Sequence, residues 1–389
     1  MTIGIDASRA NRIQKTGVES YAYFLIQELK KIQTEHEFVL YTDKPLEGEL
    51  ADLPTNWIQK VLRWPAFAKA TAGKPWRFWT QIRMSWEMLF HAPDVLFIPA
   101  HVFPIIHPKK TIMTIHDVAA LKFPESYNWF ERWYSTWSAR VALKKLWRII
   151  TPSEFTKAEL GSWKLEARSE KLAKKISVIS LAYDLKYRKM ENKTEIEKVL
   201  KKYNIIKPFI LTIGRLEEKK NTVRIIQAFE KIRQNNLKSF LPKADEILSL
   251  VLVGKPGYGY EKVETAIQNS PFKKDIITPG WVDEADLPYL MNSAEVFVFP
   301  SLYEGFGIPV LEAMACGTPV VASSGNSLEE VGAHAVLYVD PLCSDEISFQ
   351  IERLLVDDVL RKKQIEKGYE RVREFSWEKC AKKTFEFLT

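Results

Sequence analysis

The sequence predicts an α/β protein made of two doubly wound domains, each with a parallel sheet between layers of helices. Short apolar runs of strand type alternate with longer amphipathic segments, which is typical of such sheets. A charged, strand-poor stretch at residues 185–207 interrupts this alternation, which starts again at Pro208. The 389 residues also exceed one ordinary hydrophobic core and suit two domains. A single closed eight-fold barrel is the alternative architecture.

The N-terminal half begins with a strand at residues 2–7 and a helix at residues 18–31, on which Tyr21, Leu25, Ile26 and Leu29 form an apolar stripe. Further strands of this half are predicted at residues 38–41, 95–98, 111–115, 149–151 and 176–179. The C-terminal half has predicted strands at residues 209–213, 250–253, 276–277, 296–299, 319–322 and 336–338. A final amphipathic helix starts after Ser376, a suitable N-cap. The predicted domains are 1–184 and 208–373, joined by a linker at 185–207 with one short helix, and the terminal helix is 374–389.

Composition and charge narrow the class of protein. The chain is 46% hydrophobic and 27% charged, which fits neither a disordered nor a fibrous protein. Residues 1–190 carry 29 Lys and Arg against 19 Asp and Glu, whereas the remainder is slightly acidic. Such a basic surface attracts phosphate, anionic lipid or nucleic acid, and charge alone does not separate the three. Three widely spaced cysteines, with neither a secretory signal nor an apolar run of membrane length, predict a reduced cytoplasmic protein.

The segment FPSLYEGFGIPVLEAMACGTPVVA, residues 299–322, is the richest in chemistry. A strand ends at its start, a loop with Gly305 and Gly307 follows, and a helix is predicted to begin near Ile308. Glycines in a strand-to-helix turn let backbone N–H groups approach an anion at the helix N-terminus. Glu304 and Glu312 are eight residues apart, and both can line the crevice at the strand ends. There they could accept hydrogen bonds from sugar and ribose hydroxyl groups.

This segment resembles the E-x7-E donor motif of the retaining glycosyltransferase family 4. Similar matches, in the order found in that family, are IGIDASRANRIQKTGVESYA, TIHDVAALKFPE, TPSEFTKAEL, GRLEEKKN, VLVGKPGYG and PGWVDEADLPYLMNSAEVFVFPS. The resemblance implies the GT-B fold: two Rossmann-like domains face a cleft, with acceptor on the first and donor on the second. It also implies that the C-terminal helix crosses back to the first domain.

The resemblance further implies a role for each residue of the E-x7-E segment. Glu304 binds hydroxyls of the transferred sugar, and Glu312 binds the ribose hydroxyls. The backbone N–H groups of Phe306 and Gly307 place the sugar and phosphate, and Ile308 at the helix start also belongs to the donor site. Glu304 acting as a nucleophile would form a glycosyl-enzyme intermediate. The mechanism usual in the family is front-face substitution, in which the leaving phosphate accepts the acceptor proton, and the expectation follows it.

Two cations are predicted beside the donor diphosphate. Arg215 and Lys220 follow the strand at residues 209–213 and lie five residues apart in GRLEEKKN. Fixed cations there would stabilise the negative charge that grows on the leaving group. Lys219 could take the place of Lys220, and ordinary solvated surface cations are the alternative interpretation.

Three candidates lie in the N-terminal half. Gly17 stands where a helix starts, so that its N–H group can face an anion. The family often has paired glycines at this turn, whereas here Thr16 precedes a single glycine. His116 follows a predicted strand, and the resemblance implies that it contacts the donor sugar near the reacting carbon, with Asp117 orienting it. A purely structural histidine is the alternative.

Weaker donor contacts are predicted at Gly254, in the following loop at residues 255–259, and at Val282 through its backbone. Ser153 is better explained as a helix N-cap than as a ligand contact.

An unusual aromatic and basic stretch spans residues 57–86, with tryptophans at Trp57, Trp64, Trp76, Trp79 and Trp86 among cations at Lys60, Arg63, Lys69, Lys74, Arg77 and Arg83. It is either a docking site for an anionic membrane or an ordinary pair of helices with buried tryptophans.

The expected function is therefore transfer of a hexose from a nucleotide sugar to a glycan or lipid-linked acceptor. Among relatives, the motifs most resemble bacterial mannosyl- and rhamnosyl-transferases of surface polysaccharide assembly, so GDP-mannose is the first donor, with UDP- and dTDP-sugars next. The sequence has no D-x-D triplet and no paired histidine ligands, so neither a metal nor another cofactor is expected. Nucleic acid is not an expected partner. The enzyme is expected in the cytoplasm or at the inner face of the membrane. The alternatives are a sugar-nucleotide epimerase or phosphorylase, and a silent nucleotide- or glycan-binding homologue.

Overall fold

A computed structural model of the chain describes residues 1–63, 79–100, 102–162, 174–235 and 247–389. Internal contacts divide the chain into two compact units. The N-terminal unit consists of Met1–Lys122, Trp129–Leu181 and Ser376–Thr389, and the C-terminal unit consists of Phe123–Asn128 and Ala182–Phe375. Each unit has its own sheet, so the single-barrel alternative is wrong.

The N-terminal unit is built on a seven-stranded parallel sheet. Its strands are Thr2–Asp6 (β1), Glu37–Thr42 (β2), Trp57–Val61 (β3), Val95–Ile98 (β4), Thr111–Thr114 (β5), Arg148–Thr151 (β6) and Ile176–Val178 (β7). They lie in the order β3-β2-β1-β4-β5-β6-β7. The chain leaves β1 towards β2 and returns on its other side at β4, which makes the β1–β4 junction a topological switch point.

The described helices of this unit are Gly17–Leu29 (α1), Ser85–Phe90 (α2), Ala119–Lys122 (α3), Trp129–Lys145 (α4) and Glu154–Gly161 (α5), with a π-helical turn at Trp79–Met84. The C-terminal helix of the chain, which we number α14 in chain order, is Trp377–Leu388. The Ser376 hydroxyl caps it by accepting from the Lys379 amide at 3.1 Å. The Trp377 ring stacks on Phe24 of α1 at 5.4 Å, so the last helix packs on the first one.

The C-terminal unit has a six-stranded parallel sheet. Its strands are Phe209–Ile213 (β8), Ser249–Val253 (β9), Ile276–Gly280 (β10), Val296–Phe299 (β11), Val320–Ser323 (β12) and Val336–Val339 (β13). They lie in the order β10-β9-β8-β11-β12-β13, with a switch point between β8 and β11. The described helices are Lys193–Lys202 (α6), Thr222–Gln234 (α7), Tyr260–Asn269 (α8), Leu287–Ser293 (α9), Ile308–Ala315 (α10), Ser327–Gly332 (α11), Ser344–Val356 (α12) and Asp358–Val372 (α13).

The predicted strands are confirmed, most with ends shifted by one or two residues. Strand β3 was not predicted, because only Trp57 in it is fully buried and the polar residues Gln59 and Lys60 break the apolar run. It begins at Trp57, whose ring stacks on Phe38 of β2 with centroids 4.1 Å apart. The interpretation of residues 57–86 as a helix pair is therefore wrong at its start. Trp64, Trp76, Lys69, Lys74 and Arg77 lie outside the described residues.

Candidate functional site

The carboxyl ends of four adjacent strands carry most of the predicted donor residues. Because β8, β9, β10 and β11 are parallel, the loops that follow them meet at one edge of the sheet. These loops are joined by backbone hydrogen bonds: the Gly214 amide donates to the Val253 carbonyl at 2.9 Å, and the Gly254 amide donates to the Gly280 carbonyl at 2.9 Å. The donor-side candidates are thereby held on one rigid rim.

An ion pair between Lys220 and Glu304 is the central feature of this rim. The Lys220 Nζ atom lies 2.5 Å from Glu304 Oε1, although the residues are 84 positions apart. The two side chains are only 20% and 14% exposed, so water screens the pair weakly. The Lys220 ammonium also lies 4.9 Å from the centroid of the Phe299 ring, at the end of β11. Two predicted site residues are thus brought together in a sheltered position.

Lys219 points to a different partner. Its Nζ atom lies 3.8 Å from Glu217, and its backbone carbonyl accepts from the Leu302 amide at 2.9 Å. The alternative in which Lys219 replaces Lys220 therefore has no support from the geometry around Glu304. Arg215, the other predicted cation, is exposed in the turn that follows β8.

Hydrogen bonds from the start of α11 fix the loop between β11 and α10. The Ser327 hydroxyl lies 2.8 Å from the Glu304 carbonyl and 3.0 Å from the Phe306 carbonyl, to which it donates. Gly307 has φ +115°, and a Cβ atom there would lie 2.3 Å from Leu328 Cδ2, so this position requires glycine. The helix α10 then starts at Ile308; Pro309 in its first turn has no N–H group, and the Val310 amide donates to the Gly307 carbonyl at 3.0 Å.

Glu312 occupies a separate environment on α10. Its carboxyl group is half-buried, and desolvation raises its pKa to about 8. The positive charge of Lys186 opposes this rise, whereas Asp184 and Glu284 add to it. Sequence reasoning missed these three neighbours, because no motif links them to Glu312. When protonated, such a carboxyl group can both donate a hydrogen bond to a ligand hydroxyl group and accept one from it.

We expect Glu312→Gln to stabilise the protein at high pH. Because the pKa in the folded state is raised above the ordinary value of 4.5, the wild-type protein loses stability as the pH rises from 4.5 through about 8. The glutamine variant has no proton to lose, so its advantage should grow over this window to about 1–2 kcal/mol. Urea unfolding of both proteins at a series of pH values measures the difference. A difference that does not vary with pH would contradict the burial of this carboxyl group.

Gly254 and Val282 lie next to an aromatic side chain that the sequence analysis did not select. Val282 is buried and follows β10, and Trp281 beside it is 45% exposed. The Lys255 Nζ atom lies 4.4 Å from the centroid of the Trp281 ring. A lone tryptophan after a strand gives no functional signal in the sequence, but here its ring and a cation stand on the same rim as Gly254.

In the N-terminal unit, Gly17 is the first residue of α1, and a Cβ atom added to it would meet nothing within 4 Å. The Thr16 amide donates to the Glu19 carboxylate at 3.2 Å, and Arg9 pairs with Glu19 at 3.1 Å. Burial alone would raise the pKa of Glu19, but the hydrogen bond from Thr16 and the Arg9 charge lower it. The helix start is thus capped by its own carboxylate, and open space remains beside Gly17.

His116 is buried at the end of β5. Its Nε2 atom lies 2.9 Å from the Pro99 carbonyl oxygen. Its ring and the Tyr21 ring form a T-shaped pair with centroids 4.8 Å apart. Since a carbonyl only accepts, Nε2 carries a proton. Asp117 accepts from the Ala119 amide at 2.9 Å and so shapes the start of α3. Both residues have structural contacts, and their predicted contacts with a donor stay predictions.

Gly17, His116 and Asp117 belong to the N-terminal unit, and the other candidates belong to the C-terminal unit. Ser153 accepts from the Thr156 amide at 3.1 Å, which confirms the predicted N-cap.

Within the described ranges, no group of three or more His, Cys, Asp and Glu side chains is arranged to hold a metal ion. No described helix combines the length and the apolar character that a membrane crossing requires.

Comparison with known proteins matches both halves of the chain. The family model "Glycosyl transferases group 1" matches residues 193–371, and "Glycosyltransferase Family 4" matches residues 15–187. The O-antigen chain mannosyltransferase B of Escherichia coli is 30% identical over 299 residues, which cover 77% of this chain and 73% of that protein.

Solved structures share the fold. The sucrose-phosphate synthase of Thermosynechococcus elongatus superposes with a TM-score of 0.72 at 18% identity, covering 100% of this chain and 98% of the other. The HepE protein of Anabaena in complex with UDP-glucose gives a TM-score of 0.69 at 15% identity, with coverage of 100% and 98%. At these identities, the likeness shows the architecture of two α/β domains.

Proposed function

Because the chain belongs to the group 1 and family 4 glycosyltransferases and has their two-domain α/β GT-B architecture, we propose that it is a retaining, metal-independent hexosyltransferase. Its donor is a nucleotide diphosphate sugar, with GDP-mannose first, and its acceptor is a glycan or a lipid-linked glycan. The observation that carries the proposal is the sheltered Lys220–Glu304 pair at the strand ends, beside the start of α10.

The charges at this rim suit the departure of a nucleoside diphosphate. As the bond between the sugar and the phosphate breaks, negative charge grows on the leaving phosphate oxygen. In the proposed reaction, Lys220, Arg215 and the N-terminus of α10 stabilise that charge more in the transition state than in the ground state. In the proposal, Lys220 and Arg215 supply the positive charge that other transferases obtain from a metal ion, so that the reaction needs no metal.

The position of Glu304 favours front-face substitution over a covalent intermediate. A nucleophilic carboxylate needs a free oxygen next to the anomeric carbon. Lys220 engages Glu304 Oε1, and the positive charge of its ammonium group lowers the nucleophilicity of the whole carboxylate. In the proposed step the acceptor oxygen bonds to the face that the phosphate leaves, and the acceptor proton passes to a phosphate oxygen. Glu304 binds and orients hydroxyls of the sugar.

The choice of donor rests on the relatives. The E. coli relative is named an O-antigen chain mannosyltransferase, which supports mannose and a polysaccharide acceptor. The HepE structure contains UDP-glucose, so UDP-sugars stay in second place, with dTDP-sugars. The exposed Trp281 ring beside Gly254 offers a stacking surface for the nucleobase. The proposal places the enzyme in the cytoplasm, at the inner face of the membrane that holds a lipid-linked acceptor.

A panel of nucleotide sugars tests the proposed donor. We expect GDP-mannose to stabilise the protein against heat by about 3 kcal/mol at a concentration one hundred times its Kd, with UDP- and dTDP-sugars weaker. The stabilisation and the slow donor hydrolysis should both persist in EDTA, and the product sugar should keep the anomeric configuration of the donor. Inversion, loss of activity in EDTA, or isomerisation of the nucleotide sugar without an acceptor would contradict the proposal.

A further inference from the structure

The outer face of α4 carries an exposed row of tryptophans. The helix turns Ser138, Ala139, Ala142 and Leu143 into the core. On another side of it, Trp129 is 79% exposed and Trp133 is 51% exposed, and Trp137 continues the same row one turn further on. Large apolar side chains in contact with water are costly, and tryptophans grouped at helical spacing therefore indicate a surface that is covered in use.

The three rings form an ordered ladder. The Trp129 and Trp133 ring centroids are 6.4 Å apart with planes 11° from parallel, and those of Trp133 and Trp137 are 6.1 Å apart with planes 14° from parallel. Trp133 thus has a nearly parallel tryptophan ring one turn before it and another one turn after it along the helix. A sugar stacks on a free ring face, so the middle of this ladder is poorly suited to bind a glycan and better suited to enter an apolar phase as a ridge.

Two cations continue the row along the same helix. Arg140 and Lys144 are exposed, and at about 100° per residue they fall within the ~80° arc that the three tryptophans span. Neither side chain forms an ion pair with the part of the chain that the structure describes. Residues 1–190 also carry the basic excess of the chain, with 29 Lys and Arg against 19 Asp and Glu. The face thus combines an aromatic ridge with two cations that have no ion-pair partner among the described residues.

We propose that this α4 face docks the N-terminal unit on an anionic phospholipid surface. Tryptophan favours the boundary between water and lipid, and adjacent cations favour anionic headgroups. The inference deepens the proposed function, because a lipid-linked acceptor would bring the enzyme to such a surface. In the predicted docking stretch at residues 57–86, Trp57 and Trp79 are both 4% exposed and belong to the core, so Trp86 is its one exposed tryptophan among the described residues.

The topology of the sheet extends the proposed surface. The connections from β3 to β4 and from β5 to β6 advance in the same direction across the sheet. Parallel crossovers are right-handed, so α2 and α4 lie on the same side of it. On α2, Trp86 and Phe90 are each 60% exposed. The exposed aromatic side chains of both helices therefore belong to one layer of the N-terminal unit.

Co-sedimentation with vesicles tests the docking surface, without donor or acceptor present. We expect the full chain to bind vesicles of phosphatidylcholine with phosphatidylglycerol, and to bind pure phosphatidylcholine much more weakly. The variant Trp129→Ser/Trp133→Ser should lose at least about tenfold in affinity. The variant Arg140→Glu/Lys144→Glu should lose at least about thirtyfold, because each cation near an anionic surface contributes a factor of about five and the new glutamates add repulsion.

Two control variants change the exposed surface of the C-terminal unit. Lys362→Glu/Lys363→Glu alters the net charge by the same amount, and Phe349→Ser removes a 56% exposed aromatic ring. Both should bind vesicles as the wild type does. Three results would overturn the proposal. The wild type could fail to bind anionic vesicles, the tryptophan variant could bind them as the wild type does, or the control variants could lose as much vesicle affinity as the α4 variants. Since no donor is present, each of these results leaves the proposed transfer reaction untouched.

Discussion

The variant Lys220→Ala is expected to fold normally and to lose about two to three orders of magnitude in kcat. Its ammonium group is the sheltered cation of the donor rim, and it lies 2.5 Å from Glu304 Oε1. In the variant, no ammonium group stabilises the leaving diphosphate. The sheltered Glu304 carboxylate also lacks the cation that pairs with it in the wild type. Steady-state kinetics with the best donor of the panel measure the effect, and circular dichroism checks the fold.

Lys219→Ala is the matched control for this variant. Lys219 is the adjacent residue, but its Nζ atom lies near Glu217 rather than Glu304. We expect its kcat to stay within a few-fold of the wild type. The double variant Lys220→Ala/Glu304→Gln should be little worse than Lys220→Ala alone, because the two residues act as one unit. Equal losses in the Lys219 and Lys220 variants would show that general surface charge, and not this pair, supports the reaction.

Gly254→Ala should lower the free energy of unfolding by about 3 kcal/mol or more, or prevent folding of the C-terminal unit. Gly254 has φ +149°, and a Cβ atom there would lie 1.7 Å from the backbone oxygen of Gly214. A backbone carbonyl cannot move aside as a flexible side chain does, so the loops after β8 and β9 would have to separate. The midpoint of urea unfolding measures the loss.

Gly280→Ala separates the steric effect from backbone strain. Gly280 also has a positive φ of +74°, but an added Cβ atom would meet nothing within 4 Å there. Its alanine variant should therefore lose only about 1–2 kcal/mol, the usual cost of a left-handed backbone. Similar losses at both positions would mean that the close approach of the two loops contributes nothing to stability.

The sheets were largely predictable from the sequence, because buried parallel strands appear as continuous apolar runs. The limits of β4, β8 and β11 agree residue for residue with the predictions. Strand β3 was missed because it lies at the edge of its sheet, where polar side chains interrupt the apolar pattern. Trp57 and Trp79 were counted as candidate membrane contacts for a related reason, since tryptophan suits both a core and an interface.

Lys220 and Glu304 were both predicted to belong to the donor site, but their pairing was not, because it depends on β8 and β11 being neighbours in the sheet. The charged neighbours of Glu312 could not be predicted from the sequence. Asp184 and Lys186 come from a segment more than one hundred positions away along the chain, and Glu284 comes from a third segment. Side chains brought together in this way leave no spacing for a sequence pattern to detect. The α4 ladder was visible as a run of aromatic residues, but its exposure was not.

A crystal structure of the protein with GDP would show whether the Lys220–Glu304 pair belongs to the donor site. We expect the diphosphate at the carboxyl ends of β8 and β11, with Lys220 Nζ and the Arg215 guanidinium within hydrogen-bond distance of phosphate oxygens and Glu312 bound to the ribose. A nucleotide bound elsewhere, with the Lys220–Glu304 pair facing no phosphate or sugar, would contradict this expectation.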